Sequence, residues 1–417
     1  MILRSPVSHT ELLSKLFRHE YGRMTAVLCR HFGITHMETA EDIVSDTFLK
    51  ASEYWAANGI PHNPEGWLYA VAKNKAKDHF KHQSIVDEYA KNTESGERYS
   101  EPEIDFSTEA ISDSELAMIF AVSDPMNPVE AQISLALKIL CGFTVEEIAN
   151  ALLEKPETIK KRLQRARDNL RTHNFQIRPL SRQDIESRFE TVLKTLYLLF
   201  NEGYFSKTNN RMVRKELCLE AMRLAMILTE NPLTNSSLTH ALLALMCYQS
   251  SRLDARINEE GEVVLFDQQD RKRWDHSLIE KGNYFLIMAT DGNEVSKYHL
   301  EAGIAYWHTT GSDNKWHHIL QLYNQLLIIE YSPMAALNRT FAYAQVHGHE
   351  KAIAEAEKLN LPDSSYYHGL MGYLYSKSDI RKAVLHYENA MNLTKSPAEK
   401  ETLRKEIERM KTALPEG

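Results

Sequence analysis

The sequence contains little cysteine, glycine or proline. Its 417 residues include 16 glycines and 13 prolines, which is few for a turn-rich all-β protein and favours helices. The four cysteines are scattered and form no CxxC pair; they are Cys29, Cys141, Cys218 and Cys247. Scattered thiols indicate small core residues in a reducing compartment, so we expect neither a disulfide framework nor a zinc site.

Long apolar runs and targeting signals are also missing. The longest uninterrupted apolar run spans Ala241 to Tyr248, whereas a membrane-spanning helix needs about 20 residues. The residues from Met1 to Pro6 contain no basic stretch followed by an apolar one, so we expect no secretory signal. We therefore expect a cytoplasmic protein without a membrane partner.

The motifs of common metal and nucleotide sites are absent from the sequence. There is no Walker-type or dinucleotide-binding glycine loop, no HExxH and no zinc-ligand spacing of Cys and His. Several histidines lie close together in sequence, and packing or surface roles explain them better than metal ligation: His308, His317, His318, His347 and His349. We expect no cofactor, no metal and no catalytic residue, with an enzyme as the third alternative.

Length and composition indicate a multidomain globular protein. At about 100–200 residues per domain, the chain is long enough for two or three domains. Its composition is 43% hydrophobic and 25% charged, which excludes wholesale disorder and fibrous repeats. Apolar residues at helical spacing recur along the chain and predict an all-α fold.

The formal net charge of −8 argues at first against a nucleic-acid partner. However, residues 84–126 alone carry 11 acidic and 2 basic residues, so the rest of the chain is nearly neutral. We interpret 84–126 as an acidic linker that is flexible at least to about Ile111. Residues 155–171, in contrast, carry 7 basic and 2 acidic residues.

Three helices are predicted before the acidic linker. Their apolar stripes cover residues 9–32, 40–55 and roughly 65–82, and a turn containing Asn58-Gly59 and two prolines precedes the third. The third helix carries four lysines away from its apolar stripe: Lys73, Lys75, Lys77 and Lys81. A solvated face and a ligand-binding face are both compatible with this pattern.

A pair of short helices after the linker gives the strongest local signal. Thr144 followed by Glu147 is a capping box, and Pro156 suits the first position of a second helix. The second helix has an apolar stripe of Ile159, Leu163, Ala166 and Leu170, listed from its start to its end. Its other faces are basic, as docking in a DNA major groove requires, although an ordinary helical hairpin would also fit.

These segments together resemble the extracytoplasmic-function (ECF) sigma factors of the sigma-70 family. The resemblance rests on the blocks Ala40–Ala51 and Asn63–Asp78, the acidic linker and the helix-turn-helix, in that order. It implies region 2 in residues 1–83, the linker in 84–126 and region 4 in 127–180. Region 2 of the family binds core RNA polymerase and the −10 element, and region 4 binds the −35 element.

The resemblance also implies functional residues at matching positions. For core polymerase binding they are Asp42, Asp46, Phe48 and Lys50. For the −10 element they are His62, Asn63, Trp67, Lys73, Asn74 and Lys77, with Trp67 also suited to a core position. For the −35 element they are Glu157, Thr158, Lys160, Lys161, Gln164 and Arg165. Lys155 departs from the family, in which a capping residue is commoner before this proline.

Residues 181–417 resemble the helical extension of one ECF subgroup. The segment Tyr197–Tyr204 carries this resemblance, and residues 336–393 show spacing like that of tetratricopeptide (TPR) repeats. The resemblance implies promoter-specific transcription initiation regulated by this extension, which would bind a protein or peptide partner. The alternative is a DNA-binding adaptor or signal-transducing scaffold. We further hypothesise that acidic residues of the linker mimic nucleic acid inside polymerase: Glu94, Glu97, Glu101, Glu103 and Asp105.

Overall fold

The computed structural model describes residues 9–91, 104–172, 175–204, 211–256, 264, 269–292 and 294–412. Within these residues the chain forms helices and turns but no strand, which confirms the all-α prediction. None of the described helices is both long and apolar enough to cross a membrane. The chain forms two compact units, one of residues 1–203 with 223–234 and one of residues 204–222 with 235–417.

The first unit contains helices α1 to α8. Their bounds are α1 His9–Phe32, α2 Met37–Asn58, α3 Pro64–Lys91, α4 Thr108–Val122, α5 Val129–Leu135, α6 Val145–Leu152, α7 Pro156–Thr172 and α8 Arg182–Tyr204. A π-helical turn, Ala136–Leu140, follows α5 directly. The last residue of α8, Tyr204, already belongs to the second unit.

Helix α1 lies at the centre of the first unit because its apolar residues face three neighbours. It packs against α2, α4 and the π-helical turn. Met24, Val27 and Leu28 of α1 are fully buried. Gly22 makes the closest approach, since a Cβ atom there would lie 2.3 Å from the carbonyl oxygen of Leu140. Only a residue without a side chain allows the π-helical turn to lie so near α1.

Helix α4 lies in the segment interpreted as an acidic linker, and only its first turn, to Ile111, falls in the part that was expected to be flexible. It lies within residues 84–126, yet its residues Leu116 to Val122 are buried and pack on α1. Ser107 caps the helix by accepting a hydrogen bond from the Ala110 amide at 3.2 Å. Asp105 in turn accepts hydrogen bonds from the amide and the hydroxyl of Ser107. The other acidic residues of the mimicry hypothesis, at positions 94, 97, 101 and 103, lie outside the described residues.

Helix α8 packs on the helices that precede it. Its Thr195 hydroxyl donates to the side chain of Gln132 at 2.6 Å. Arg188 of α8 forms an ion pair with the buried Asp124 at 3.0 Å. Because these contacts are buried or partly buried, α8 belongs structurally to the first unit although it follows the predicted end of region 4.

The second unit is a succession of packed helices. Their bounds are α9 Arg211–Ile227, α10 Ser237–Ser250, α11 His276–Met288, α12 Lys297–Thr309, α13 Lys315–Ile329, α14 Pro333–His347, α15 His349–Glu357, α16 Ser365–Tyr375, α17 Ile380–Leu393 and α18 Pro397–Thr412. Residues 223–227 of α9 and the turn that follows it belong to the first unit. Helix α10 is buried on nearly all sides and packs against α11 and α12.

Helices α14 to α17 form two successive helix pairs within the segment interpreted as TPR-like. The residues that set the predicted spacing are mostly buried; they are Ala352, Ala356, Ala383, Tyr387 and Ala390. At Gly372 a Cβ atom would lie 2.7 Å from the Tyr387 ring, so α16 and α17 approach closely there. This packing is compatible with the TPR-like interpretation, which stays a prediction.

The histidines considered as metal ligands have other surroundings. His308 is half-buried beside Trp316, and desolvation together with Arg252 and Lys315 lowers its pKa to about 3. His318 stacks on Trp307 with ring centroids 4.0 Å apart. In the described part of the chain, no group of three or more His, Cys, Asp or Glu side chains is arranged to hold a metal ion. The four cysteines are buried.

Candidate nucleic-acid interface

Helix α7 separates a buried apolar stripe from an exposed basic face. Ile159, Leu163, Ala166 and Leu170 are buried, as the spacing predicts. The residues predicted to contact the −35 element are all exposed: Glu157, Thr158, Lys160, Lys161, Gln164 and Arg165. Glu157 and Lys160 pair with each other across one turn at 3.2 Å. The exposed face therefore offers Lys161, Gln164 and Arg165 to a partner.

The helix that precedes α7 is fixed by the predicted capping box. The Thr144 hydroxyl accepts from the Glu147 amide at 3.1 Å, and the Glu147 carboxylate accepts from the Thr144 amide at 2.7 Å. Leu153, the residue that follows the end of α6, adopts a left-handed conformation with φ of 55°. Three residues later Pro156 begins α7. This tight connection holds α7 against α6 with its basic face exposed.

Helix α2 carries the residues predicted to bind core polymerase. Asp42, Asp46 and Lys50 are exposed, and Asp46 forms an ion pair with Lys75 of α3 at 3.1 Å. Phe48 differs from this expectation because it is buried and packs edge-on against Phe17 with centroids 5.0 Å apart. Phe48 therefore supports the helix from inside and is not part of its exposed face.

The turn before α3 and the first part of α3 hold the residues predicted for the −10 element. His62 and Asn74 are exposed, while Lys73 and Lys77 are half-buried. Asn63 fixes the start of α3, since its side-chain oxygen accepts a hydrogen bond from the Gly66 amide at 2.9 Å. Trp67 is half-buried and stacks on Tyr54, with centroids 5.5 Å apart. This environment fits the core role that was considered for Trp67.

A cavity lies beside these residues. It measures about 530 Å³ and is lined by Tyr69, Lys73, Asp105 and Phe106, among others. Tyr69 stacks in parallel on Phe106 with centroids 4.9 Å apart. Lys73 therefore faces the residues that lead into α4.

Three glutamates are buried in the first unit, and each has cationic or phenolic partners; they are Glu20, Glu41 and Glu115. Glu20 accepts from Tyr69 and also pairs with His19 and Arg23. Glu41, 5% exposed, pairs with Arg167 and lies 3.7 Å from Lys138. A buried carboxylate without such partners would be strongly destabilising.

Glu115 is the third buried carboxylate of this group. It is 2% exposed and pairs with Arg223 at 2.9 Å and with Arg23 at 3.4 Å. Burial raises the pKa of Glu115, and the two arginines act against that shift. Burial likewise raises the pKa of Glu41, opposed by Arg167 and Lys138.

Helix α7 contacts helix α2 through the end of its basic face. Arg167 pairs with both Glu41 and Glu38, and Arg171 pairs with Glu38. Sequence reasoning did not identify these four residues as partners. Their spacing within each helix is visible in the sequence, two arginines one turn apart and two glutamates one turn apart. Their pairing is not visible, because it joins positions more than 120 residues apart.

Two segments of the chain match known protein families. Residues 16–85 match sigma-70 region 2, and residues 188–290 match a family of unknown function (DUF6596). An uncharacterized protein of Rhizobium meliloti (strain 1021) is 30% identical over 355 residues, which cover 83% of both chains. The chain belongs to the sigma-70 family. No solved structure matches it.

Membership in the sigma-70 family supports a role in transcription initiation. Its region 2, residues 16–85, contains most of α1, all of α2 and most of α3. Sigma-70 region 2 supports binding of core RNA polymerase, and proteins of this family are initiation factors rather than enzymes. The residues matched to DUF6596 begin within α8 and end just after α11.

Proposed function

We propose that the chain is an ECF-type sigma factor that directs core RNA polymerase to specific promoters in the cytoplasm. The observation that carries the proposal is a sigma-70 region 2 in the same chain as the α6–α7 pair, whose second helix has an exposed basic face. In this proposal α6 and α7 form the helix-turn-helix of region 4. The adaptor or scaffold alternative shares the basic helix but not the match to region 2.

Helix α7 is proposed to enter the major groove at the −35 element. A helix fits that groove, and Arg, Lys and Gln side chains read its base edges and contact phosphates. Lys161, Gln164 and Arg165 are exposed along one side of α7 and fit these roles. Glu157, Thr158 and Lys160 lie at the start of the same helix, where they would contact the groove edge.

Helix α3 and the turn before it are proposed to hold the single strand of the −10 element. Such a site needs cations along the backbone of the DNA strand and a surface on which an unstacked base can lie. Lys73 and Lys77 supply the cations, Asn74 is proposed to donate a hydrogen bond to a phosphate, and His62 lies at the exposed turn. Asn63 and Trp67 are proposed to shape this site through the capping and stacking contacts described above.

The polymerase contact is proposed on the exposed face of α2. Asp42, Asp46 and Lys50 form that face, while Phe48 acts only by supporting it from the core. Weak binding of each small DNA-contacting segment would then be compensated by attachment to polymerase, which raises their effective concentration at the promoter.

The C-terminal extension is proposed to regulate initiation and to bind a protein or peptide. A cavity of about 670 Å³ lies between α14, α16 and α18, with Leu337, Phe341, Tyr366, Tyr373 and Leu403 among its lining residues. Its apolar walls and its position in the TPR-like segment support a peptide partner. The boundaries 181–417 for the whole extension and 336–393 for the repeats remain part of this proposal.

Run-off transcription with core polymerase and genomic fragments tests the main proposal. We expect transcripts from a defined set of promoters only when the chain is added. Copurification of polymerase subunits with the chain would separate the sigma factor from the adaptor alternative. Asp42→Asn should weaken that copurification, whereas Glu130→Gln, an exposed acid outside α2, should not. Absence of polymerase from the purified chain, together with no transcripts, would overturn the proposal.

Substitution of Arg165 tests the assignment of α7. If Arg165 contacts a base of the −35 element, Arg165→Ala should cost about 1–3 kcal/mol of promoter binding and relax specificity at one position. Arg182→Ala is the matched control, because Arg182 is an exposed arginine on α8. Equal binding of both variants to a duplex carrying the −35 element would exclude Arg165 from the interface.

A further inference from the structure

A set of ion pairs holds α7 against region 2 in the described structure. Arg167 and Arg171 of α7 pair with Glu38 and Glu41 of α2. The Arg167–Glu41 pair is shielded from water, with side chains 14% and 7% exposed, whereas Glu38 is 45% and Arg171 33% exposed. Shielded pairs are screened by salt less than surface pairs are. The α2–α7 contact is therefore a built interface rather than a chance meeting of surface charges.

A second contact joins region 2 to the π-helical turn before α6. Gly22 of α1 lies so close to the Leu140 carbonyl oxygen that no side chain fits between them. Leu140 ends the π-helical turn, and its carbonyl lacks a partner within that turn. We call the α2–α7 contact and the Gly22–Leu140 contact together the closed arrangement.

Arg223 of the extension connects the parts of this closed arrangement. One nitrogen of its guanidinium donates to Glu115 of α4 at 2.9 Å, and another donates to the Leu140 carbonyl oxygen at 2.8 Å. Arg23 of α1 reaches the other oxygen of Glu115 at 3.4 Å. A planar guanidinium with several fixed donors is suited to hold two acceptors at once. Arg223 lies within the residues matched to DUF6596.

We propose that Arg223 makes the DUF6596 region an intramolecular lock, which holds region 2 and the α6–α7 pair in the closed arrangement until the promoter complex forms. The inference rests on the proposed function, because it assigns α3 to the −10 element and α7 to the −35 element. Those elements are about 25 base pairs apart, or about 85 Å along B-DNA. Lys75 of α3 pairs with Asp46 of α2, and α2 pairs with α7 at Glu38. The combined length of α2 and α7, about 60 Å, therefore limits the separation of the two predicted DNA-binding sets.

The closed arrangement leaves the predicted −35 residues exposed. Lys161, Gln164 and Arg165 are exposed, although Gln164 lies one turn before Arg167 on the same side of α7. The lock therefore does not cover the DNA-binding face of α7. It prevents simultaneous contact with both promoter elements, so its release should matter for a complete promoter and not for an isolated −35 duplex.

Energy transfer between two fluorescent labels tests the lock in the full-length chain. The labels are placed on cysteines introduced at the exposed Ser52 of α2 and Asn150 of α6, since the native cysteines are buried. Arg223→Met should lower the transfer efficiency, because the donor to Glu115 and Leu140 is lost. The matched control, Arg182→Met, removes an exposed arginine of α8 and should leave the efficiency unchanged. Circular dichroism verifies that both variants remain helical.

A functional measurement complements the distance measurement. At limiting chain concentration, Arg223→Met should raise open-complex formation on a complete promoter at least threefold over the wild type. Binding to a duplex with the −35 element alone should stay unchanged. Glu115→Gln gives a second, independent way to weaken the same contact and should act in the same direction.

The outcomes separate this inference from the proposed function. If Arg223→Met and Glu115→Gln leave the transfer efficiency at the wild-type value, the lock is refuted even when transcription is observed. If neither variant nor wild type yields transcripts, the sigma-factor proposal fails, while a change in transfer efficiency would still support the Arg223 contact. If both variants unfold, Arg223→Lys is tested instead. It keeps the charge and should lower the transfer efficiency by a smaller amount.

Discussion

Single atoms determine how closely the helices of the first unit approach one another. At Gly22 the absence of a side chain lets α1 lie against the Leu140 carbonyl group. The same carbonyl oxygen accepts a hydrogen bond from Arg223, so it contacts two different segments of the chain. A carbonyl at the end of a helix has no intrahelical partner and gains from a cationic donor. The carbonyl group of Leu140 thus contacts both region 2 and the extension.

Gly22→Ala should disfavour the closed arrangement. The new Cβ would lie 2.3 Å from a backbone oxygen, and backbone cannot rotate away as a side chain would. Overpacking of this kind costs about 1–3 kcal/mol, whereas alanine is itself favourable within α1. Lower energy transfer between the labels at positions 52 and 150 would report the change. Ser14→Ala, on the exposed face of α1, should have no effect; an equal response from both variants would contradict the close approach.

Residue roles were predictable where a local pattern determines them. The stripe of Ile159 and Leu163 and the capping pair Thr144 and Glu147 follow from spacing alone, and the structure contains both. Phe48 is buried, and its role in polymerase binding stays a prediction, because the resemblance assigns a role to a position without giving its exposure. The partners of Glu38, Glu41 and Glu115 could not be predicted, because each comes from a distant segment and charge alone does not select among 49 basic residues.

At the level of elements, the capping box is expected to determine how well α6 forms. Replacement of an N-cap threonine by alanine typically costs about 1 kcal/mol, since one first-turn amide loses its acceptor. Thr144→Ala should therefore speed hydrogen exchange of the α6 amides about fivefold and weaken binding to a −35 duplex. Thr172→Ala is the control, because its hydroxyl only donates to the Asp168 carbonyl at the end of α7. Unchanged exchange in Thr144→Ala would show that tertiary packing alone holds α6.

Elements that depend on tertiary contacts were the harder ones to predict. Helix α3 continues to Lys91 and α4 occupies Thr108–Val122, although an acidic and serine-containing composition favoured a flexible linker for both segments. In α4 the run from Leu116 to Val122 becomes stable because α1 covers it. The π-helical turn is likewise specified by its neighbours, since nothing in the sequence from Ala136 to Leu140 distinguishes it from an ordinary helix.

For the molecule as a whole, the placement of charge matters more than its sum. The net charge of −8 conceals acidic residues that serve as internal partners, such as Glu41 and Glu115. These residues neutralise arginines on α7 and on the extension within the first unit. Part of the cationic surface expected for a promoter-binding protein is therefore occupied internally while the closed arrangement persists. Arg167 and Arg171 are assigned to this internal contact, while the exposed Lys161 and Arg165 are assigned to DNA.

Complete promoter binding should open the closed arrangement, whereas a single element should not. Energy transfer between the labels should fall when core polymerase and a promoter with both elements are added together. A −35 duplex alone supplies no interaction that differs between the two arrangements, because Lys161 and Arg165 are already exposed, and a ligand shifts an equilibrium only through such a difference. Polymerase and the −10 strand supply such a difference, because they hold α2 and α3 far from α7. Efficient transfer that persists in the transcribing complex would mean that region 2 and α7 stay in contact during initiation, and the assignment of α7 to the −35 element would then be wrong.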